Sequence, residues 1–173
     1  MLLFFASHRK TSADLFNSPY KFEAPWHAYE FAFHVLQVKA NLVILSMAWL
    51  TQHPESVFSH LPQKPDMETL TYWVQRLEPI IRADQDGEII VVLANRCGVE
   101  GDAVYAGTST VLGIKHGEVS VYGLLGRGVQ ELLVVNTDNP PFGKLLTMPD
   151  PASQPEEESS PADESAELGG LPA

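Results

Sequence analysis

The chain has one cysteine, Cys97, in the stretch ANRCGVEG at residues 94–101. A lone thiol just past an apolar, strand-like run is a candidate nucleophile. To act as one it needs a His, Lys, Arg or helix N-terminus that stabilises the thiolate. Arg96 is adjacent in sequence, but neighbours on an extended chain point to opposite faces. Strand patterns, not a helix, follow Cys97. The local pattern therefore favours an unactivated thiol in a strand-end loop. A single cysteine also excludes an internal disulfide and a Cys-rich metal site, and it fits a reducing compartment.

Three other sets of residues carry chemistry-bearing types. His27, Glu30 and His34 sit at i, i+3 and i+7 and share one helix face, where Glu30 could orient a His or all three approach a metal. No HExxH pattern and no fourth ligand accompany them, so a helix-surface ion pair is the expectation. Glu30 stands apart because Tyr29 and Phe31 flank it next to an apolar stripe. GLLGRGVQ (123–130) is glycine-rich, but a phosphate-cradling loop would open a helix and here a strand pattern follows. SMAWL ends an apolar run, and open α/β sheets place ligands at the carboxyl ends of their strands. Ser46, Met47, Ala48 and Trp49 either line a pocket there or fill core. No Ser-His-Asp set, nucleophile elbow or carboxylate pair is visible. No metal or cofactor is expected.

These residues need elements to hold them. APWHAYEFAFHVLQVKA reads as a helix with Pro25 in its first turn and a stripe of Trp26, Tyr29, Phe33 and Leu36, widened by Ala32 and Val35. NLVILSMAWL is an apolar run of strand length without alternation, which predicts burial on both faces. PDMETLTYWVQRLEPIIRA reads as a second helix, with Asp66 as N-cap and Leu70, Trp73, Leu77 and Ile80 or Ile81 on one side. Pro79 should kink it or end its regular part. EIIVVLAN is a second buried strand. YAGTSTVLGI, VSVYGLL and QELLVVNTD read as three shorter strands, the first two joined by a hairpin turn at Lys115–Glu118. The order predicts an α/β fold with a mixed sheet and two helices on one side. Residues 1–18 show no clear period, so no strand is expected ahead of the first helix.

The charge is uneven. Residues 1–149 carry 15 acids and 11 bases, while from Asp150 onward there are 7 acids and no base. The stretch 143–173 is rich in Pro, Glu, Ser and Ala and cannot offset its ordering entropy by burial, so a disordered acidic tail is expected. There is no basic stripe for nucleic acid. No run approaches the roughly 18 apolar residues that span a bilayer, and MLLFFASHRK has the wrong order for a secretory signal. A cytoplasmic protein without nucleic-acid or membrane partners is expected.

Four segments taken together are more specific than any one motif. PYKFEAPWHAYEFA, NLVILSMAWL, VVLANRCGVEGDAVYAGTSTVLGI and GEVSVYGLLGRGVQELLVV, from about Pro19 to Asp138, resemble the carbon–nitrogen hydrolase (nitrilase) superfamily. Within it they are most similar to fungal protein N-terminal asparagine/glutamine amidases. The matching motif positions are Asn95, Arg96, Gly98, Gly107, Ser109 and Gly117, together with the strand ending in SMAW. The resemblance implies an α-β-β-α sandwich, of which residues 19–142 would be the C-terminal half, usually assembled as a dimer or larger. It implies metal-free hydrolysis of an amide or nitrile: a Glu as general base, a Lys for the oxyanion and a Cys that forms a thioester. It places the Glu and Lys in an N-terminal half without a counterpart here. It places the nucleophile in a segment of the type GICMDxNPYxF, where this chain reads KTSADLFNSPYKF, with Asp14 echoing the Asp and no cysteine. Cys97 falls at a variable position of the "aNr.G" loop and inherits no role. Ser46, Met47, Trp49 and Glu30 stand as the pocket candidates from their positions at the strand end and beside the apolar stripe, and the resemblance implies N-terminal Asn or Gln as substrate. The expected outcome is a catalytically silent partial domain. The alternative is a binding or assembly partner, joining another copy or an intact family member through exposed sheet.

Overall fold

The computed structural model describes residues 2–7 and 25–145. A six-stranded sheet runs in the order β1-β2-β3-β6-β7-β8. Its strands are β1 (Leu2–Ser7), β2 (Leu42–Ala48), β3 (Ile89–Asn95), β6 (Thr110–Lys115), β7 (Glu118–Leu124) and β8 (Gly143–Leu145). A separate hairpin pairs β4 (Cys97–Glu100) with β5 (Ala103–Ala106). The first three strands are parallel and the rest of the sheet is antiparallel, so it is mixed. Helices α1 (Glu30–Gln37), α2 (Glu55–Phe58), α3 (Met67–Arg76) and α4 (Glu78–Arg82) complete the order.

The strand β1 corrects the expectation that the first helix lacks a leading partner. Leu2–Ser7 pairs in parallel with Val43–Ala48, so α1 lies between two parallel neighbours. The hexamer LLFFAS is short and does not alternate apolar with polar residues, so it shows no period to read.

One face of the sheet holds the core. Val43, Leu45 and Met47 of β2 and Val91 and Leu93 of β3 pack under Ala32 and Val35 of α1, Leu70 and Trp73 of α3, Leu77, and Ile80 of α4. Burial alternates along β2 and β3, and the residues between are half-buried or exposed. The apolar runs had predicted two buried faces; the described residues cover one fully.

The helices differ from their patterns in instructive ways. Tyr29 is left-handed (φ 46°) and separates a 3-10 turn at Trp26–Ala28 from α1. That break shifts the helix phase. Ala32 and Val35 become the buried pair, while Trp26 and Phe33 are 48% and 54% exposed. Small side chains on that face let the helix sit close to the sheet. The second predicted helix is two helices that meet at Leu77. Pro79 lies in the first turn of α4, where its missing N–H is not needed. Leu70, Trp73, Leu77 and Ile80 are all buried, as the spacing predicts. Asp66 occupies the N-cap position, but its carboxylate accepts from the Thr69 hydroxyl (2.8 Å) and makes no side-chain bond to the helix amides.

The antiparallel part holds two more differences. YAGTSTVLGI is split into β5 and β6 by left-handed Gly107 and Thr108. QELLVVNTD forms no strand; β7 pairs instead with Gly143–Leu145. Those three residues lie within the stretch assigned to the acidic tail. The rest of that tail lies outside the described residues. The Lys115–Glu118 turn is a hairpin with His116 and Gly117 both left-handed, the arrangement whose twist suits flanking strands.

Two predictions follow from this packing. Leu77 is fully buried where both helices meet the sheet, so Leu77→Ala should lower unfolding free energy by about 2–5 kcal/mol in urea titrations. The second concerns pH. The Tyr29 hydroxyl donates to Glu78 Oε2 (2.6 Å), and Arg82 Nε donates to Oε1 (2.7 Å). The bond from Tyr29 holds the Glu78 carboxyl below its usual range, with help from Arg82 and against partial burial. A carboxyl lowered by folding stabilises above its unfolded pKa and loses that contribution as pH falls through its folded pKa. The urea midpoint should therefore drop through the acidic carboxylate range. Glu78→Gln should remove part of that drop.

Candidate functional site

The carboxyl ends of β2 and β3 converge on one side chain. Asn95, the last residue of β3, is buried. Its Oδ1 accepts the Trp49 N–H (2.8 Å). Its Nδ2 donates to the Gly107 carbonyl (2.9 Å) and, at 3.4 Å, to that of Trp49. Its backbone N–H donates to Ser109 Oγ (3.1 Å), and that hydroxyl donates back to the Asn95 carbonyl (3.1 Å). One carboxamide and one hydroxyl therefore tie β2, β3 and the β5–β6 turn together. Backbone bonds extend the knot: Arg96 N–H to Met47 O (3.0 Å), Ala106 N–H to Trp49 O (2.9 Å) and Gly107 N–H to Arg96 O (3.0 Å).

The turn at Gly107–Thr108 is where the backbone is most constrained. Gly107 has φ 54°, and a Cβ there would fall inside the Arg127 carbonyl. Thr108, a β-branched residue at φ 60°, is an outlier. Its hydroxyl accepts the Asp66 N–H (2.8 Å) and donates to the Ala106 carbonyl (3.0 Å). Its carbonyl accepts from the Thr110 hydroxyl (2.8 Å). The strained turn thus fixes the start of α3.

Beside it stands an aromatic group. Trp49 stacks on Tyr72 (4.8 Å) and meets Trp73 edge-on (5.3 Å), and Trp26 meets Tyr72 edge-on (5.7 Å). Arg76 lies over the Trp26 and Tyr29 rings and donates to the Trp26 carbonyl (2.8 Å). This arrangement fastens the 3-10 turn to α3. The buried Trp73 indole N–H has no hydrogen-bond partner among the described residues.

The residues singled out from sequence divide accordingly. Asn95, Gly107 and Ser109 come together in the knot. Arg96 turns away: its guanidinium lies over the Tyr105 ring (4.5 Å) and bonds Glu100 (3.0 Å). Gly98, left-handed at φ 94°, lies in β4, and Gly117 makes the hairpin turn. The four pocket candidates are not brought together. Met47 is core under the helices, and Ser46 points to the other face of the sheet. Glu30 is exposed on α1, and Trp49 belongs to the aromatic group. His27 and His34 are exposed, and no group of three His, Cys, Asp or Glu able to hold a metal occurs among the described residues. Cys97 is half-buried on β4, paired with Ala106, and its thiol donates to the Val129 carbonyl (3.4 Å). Thr108 and Asp66 carry much of the geometry. Sequence reasoning missed the first because a threonine held left-handed by its own hydroxyl has no pattern of its own.

Two clefts flank the knot. One, about 450 Å³, lies between the loop after β2 and the β4–β5 turn, and it is lined by Thr51, His53, Glu55 and Asp102. His53 Nε2 reaches Glu68 (3.4 Å). The other, about 190 Å³, is lined by Phe58, Val99, Tyr105 and Arg127. The Arg127 guanidinium lies over Phe58 and donates to the Lys64 and Pro65 carbonyls. Neither cleft is lined by Cys97. No described helix is long and apolar enough to cross a membrane.

The knot predicts its own sensitivity. Asn95→Ala takes the side-chain partner from the half-buried Trp49 N–H and the buried Gly107 carbonyl, at about 1–3 kcal/mol each. Denaturant titration should show a loss of that size, and Asn95→Asp should recover only the contact to the Trp49 N–H. Gly107→Ala should be worse than a surface Gly87→Ala, because it combines positive φ with a clash against backbone.

No family model matches the chain. Protein N-terminal amidase of Schizosaccharomyces pombe is 34% identical over 119 residues, covering 62% of this chain and 40% of that protein. A crystal structure of N-terminal amidase with an Asn-Glu-Ala peptide matches with a TM-score of 0.50 at 18% identity. It covers 65% of this chain and 55% of its own. A crystal structure of N-terminal amidase without a named peptide matches equally, with the same TM-score and coverage. The chain therefore spans two fifths of the curated relative's length and just over half of the solved one. At 18% identity the structural likeness speaks for the fold alone. In sequence the chain resembles part of a protein N-terminal amidase, and in fold it resembles part of solved N-terminal amidase structures.

Proposed function

We propose that the chain is the C-terminal half of a carbon–nitrogen hydrolase domain and is catalytically silent as it stands. The reaction of the whole domain would be hydrolysis of the side-chain amide of an N-terminal Asn or Gln. In such a reaction a thiolate attacks the amide carbon, ammonia leaves and water cleaves the thioester. A general base must take the thiol proton, because a free cysteine is mostly protonated at neutral pH. The observation that carries the reading is the setting of Cys97. Its thiol donates to a backbone carbonyl. The adjacent guanidinium is engaged by Tyr105 and Glu100. Among the described residues, no imidazole, carboxylate or ammonium bonds the sulfur. The Asn95 knot and the Trp49 stack then serve as the scaffold on which the rest of a domain would place substrate. A cytoplasmic setting suits the unpaired thiol.

A second reading, a non-catalytic partner of an intact amidase, is supported by the sheet. Leu42, Ile44, Ile90 and Val92 point away from the helices and are half-buried. A row of aliphatic side chains on one face is what a second layer would cover.

The test is release of ammonia from peptides beginning with Asn or Gln, measured with the purified full chain. None above the no-protein control is expected, and Cys97→Ser should change nothing. Release that Cys97→Ser abolishes would defeat the reading. The partner reading needs the intact relative: a shift in its activity or sedimentation on adding this chain supports it, and no shift argues against it.

A further inference from the structure

The glycine-rich stretch GLLGRGVQ carries one charge that no carboxylate of the fold pairs. Arg127 sits at the turn of that stretch, half-buried, on the wall of the cleft of about 190 Å³. One fork of its guanidinium, Nε and Nη2, donates to the main-chain carbonyls of Lys64 (3.1 Å) and Pro65 (3.4 Å). One face lies over the buried Phe58 ring, 4.5 Å from its centroid. The group is therefore fixed in place and shielded from water on that face. Its second fork, between the two terminal nitrogens, meets no partner among the described residues. Arg82 and Arg96 differ, since each pairs with a nearby carboxylate, Glu78 and Glu100. The chain has 22 acids against 11 Lys and Arg, yet none of the described acids reaches Arg127. A planar fork held this way matches a carboxylate bidentately.

We propose that this cleft binds a small carboxylate carried on an apolar body of about one amino-acid residue in size. Arg127 takes the carboxylate on its second fork, and Phe58, Pro62, Val99 and Val104 take the body. The volume sets the size: about 190 Å³ lies below the roughly 300 Å³ at which sites for drug-sized ligands begin. Gly98 and Gly128 line the cleft without side chains, and a Cβ on Gly128 would stand 2.8 Å from the Pro62 Cβ. Phosphate fits worse. A phosphate-cradling loop offers free backbone N–H groups. Here those of Arg127 and Gly128 already donate to the Lys64 and Pro62 carbonyls (3.0 and 2.9 Å). The formal charge of −11 repels any anion at a distance, so the affinity rests on the contact itself and is modest, roughly millimolar. A free acid and the last residue of a peptide share this chemistry. The inference rests on the cleft and is independent of the amidase reading.

The test is titration of the full chain with isocaproate and with N-acetyl-leucine, followed by backbone amide NMR shifts. Isocaproamide and inorganic phosphate are the controls. Saturable shifts around Val99, Tyr105 and Gly128 are expected with at least one acid. Binding of N-acetyl-leucine alone assigns the site to a peptide's last residue, and binding of isocaproate alone assigns it to a free acid; either supports the proposal. The amide and phosphate should each bind at least tenfold more weakly. Arg127→Gln should weaken the acid at least tenfold. Because Arg127 also ties down the Lys64 and Pro65 carbonyls, Ser59→Glu is the second variant. Ser59 is exposed, lines the same cleft and ends α2, so a carboxylate there competes for the fork outside the core. It should weaken the acid at least tenfold with an unchanged circular dichroism spectrum. If Arg127→Gln fails to fold, Ser59→Glu and the acid–amide comparison on the unaltered chain decide. No saturable shift up to about 20 mM acid overturns the proposal. So does equal binding of acid and amide, phosphate binding as tight as the acid, or a Ser59→Glu chain that binds the acid undiminished.

Discussion

The fold depends on what one buried carboxamide does at the end of a strand. Asn95 is the last residue of β3, and it binds both sides of the point where three chain segments meet: the residue after β2, the turn after β5, and Ser109 before β6. A carboxylate could accept there but not donate, and an aliphatic residue could do neither. The cost of leaving these groups unpaired is what makes the position specific, because buried backbone must be satisfied. From that anchor the geometry passes outward. Gly107 carries the left-handed turn, Thr108 follows it, and the Thr108 hydroxyl holds the Asp66 N–H at the start of α3. A left-handed threonine costs on the order of 1–3 kcal/mol. Three hydrogen bonds of roughly 1 kcal/mol each offset it. The aromatic group, which needs α3 in place to bring Tyr72 and Trp73 to Trp49, is downstream of that chain.

This dependence explains what was legible in the residues. Strands β2 and β3 were, because seven-residue apolar runs bounded by Asn and Gly admit few other structures. The buried side of α3 and α4 was legible from the 3–4 spacing of Leu70, Trp73, Leu77 and Ile80. The phase of α1 was not. A single left-handed residue, Tyr29, resets it, and tyrosine carries no signal for that conformation. The strand β1 was hidden by being short and without alternation. QELLVV was misread for the opposite reason. It has every local property of a strand, but strand pairing is a property of two segments, and β7 takes Gly143–Leu145 instead.

The site shows the same division. Asn95, Gly107 and Ser109 stood out through a family motif, and the structure brings them into one knot. Their roles there are geometric: acceptor, donor and turn. Ser46 and Met47 are neighbours in sequence and were named together, yet period two sends them to opposite faces of β2. A contiguous motif on a strand can therefore never line one pocket in full. Trp49 escapes this because it lies past the last residue of β2, where the backbone is held by Asn95 and no longer alternates with the sheet.

The sheet's two faces bear on how such a chain persists in solution. On the helix side burial is complete, and each substitution there carries the cost of a packed core. On the other side the interactions are of another kind. The Tyr122 hydroxyl donates to both oxygens of Glu88 (3.0 Å each). Burial, then this bond, holds the tyrosine above its usual range. Gly113 is required beneath them, since a Cβ would meet the Glu88 carboxylate and the Tyr122 ring. This polar pair lies at the amino end of β3, on the same face as Ile90 and Val92. That face therefore carries half-buried aliphatic side chains with a polar pair beside them. The face opposite the helices thus differs along its length, aliphatic at Ile90 and Val92 and polar at Glu88 and Tyr122.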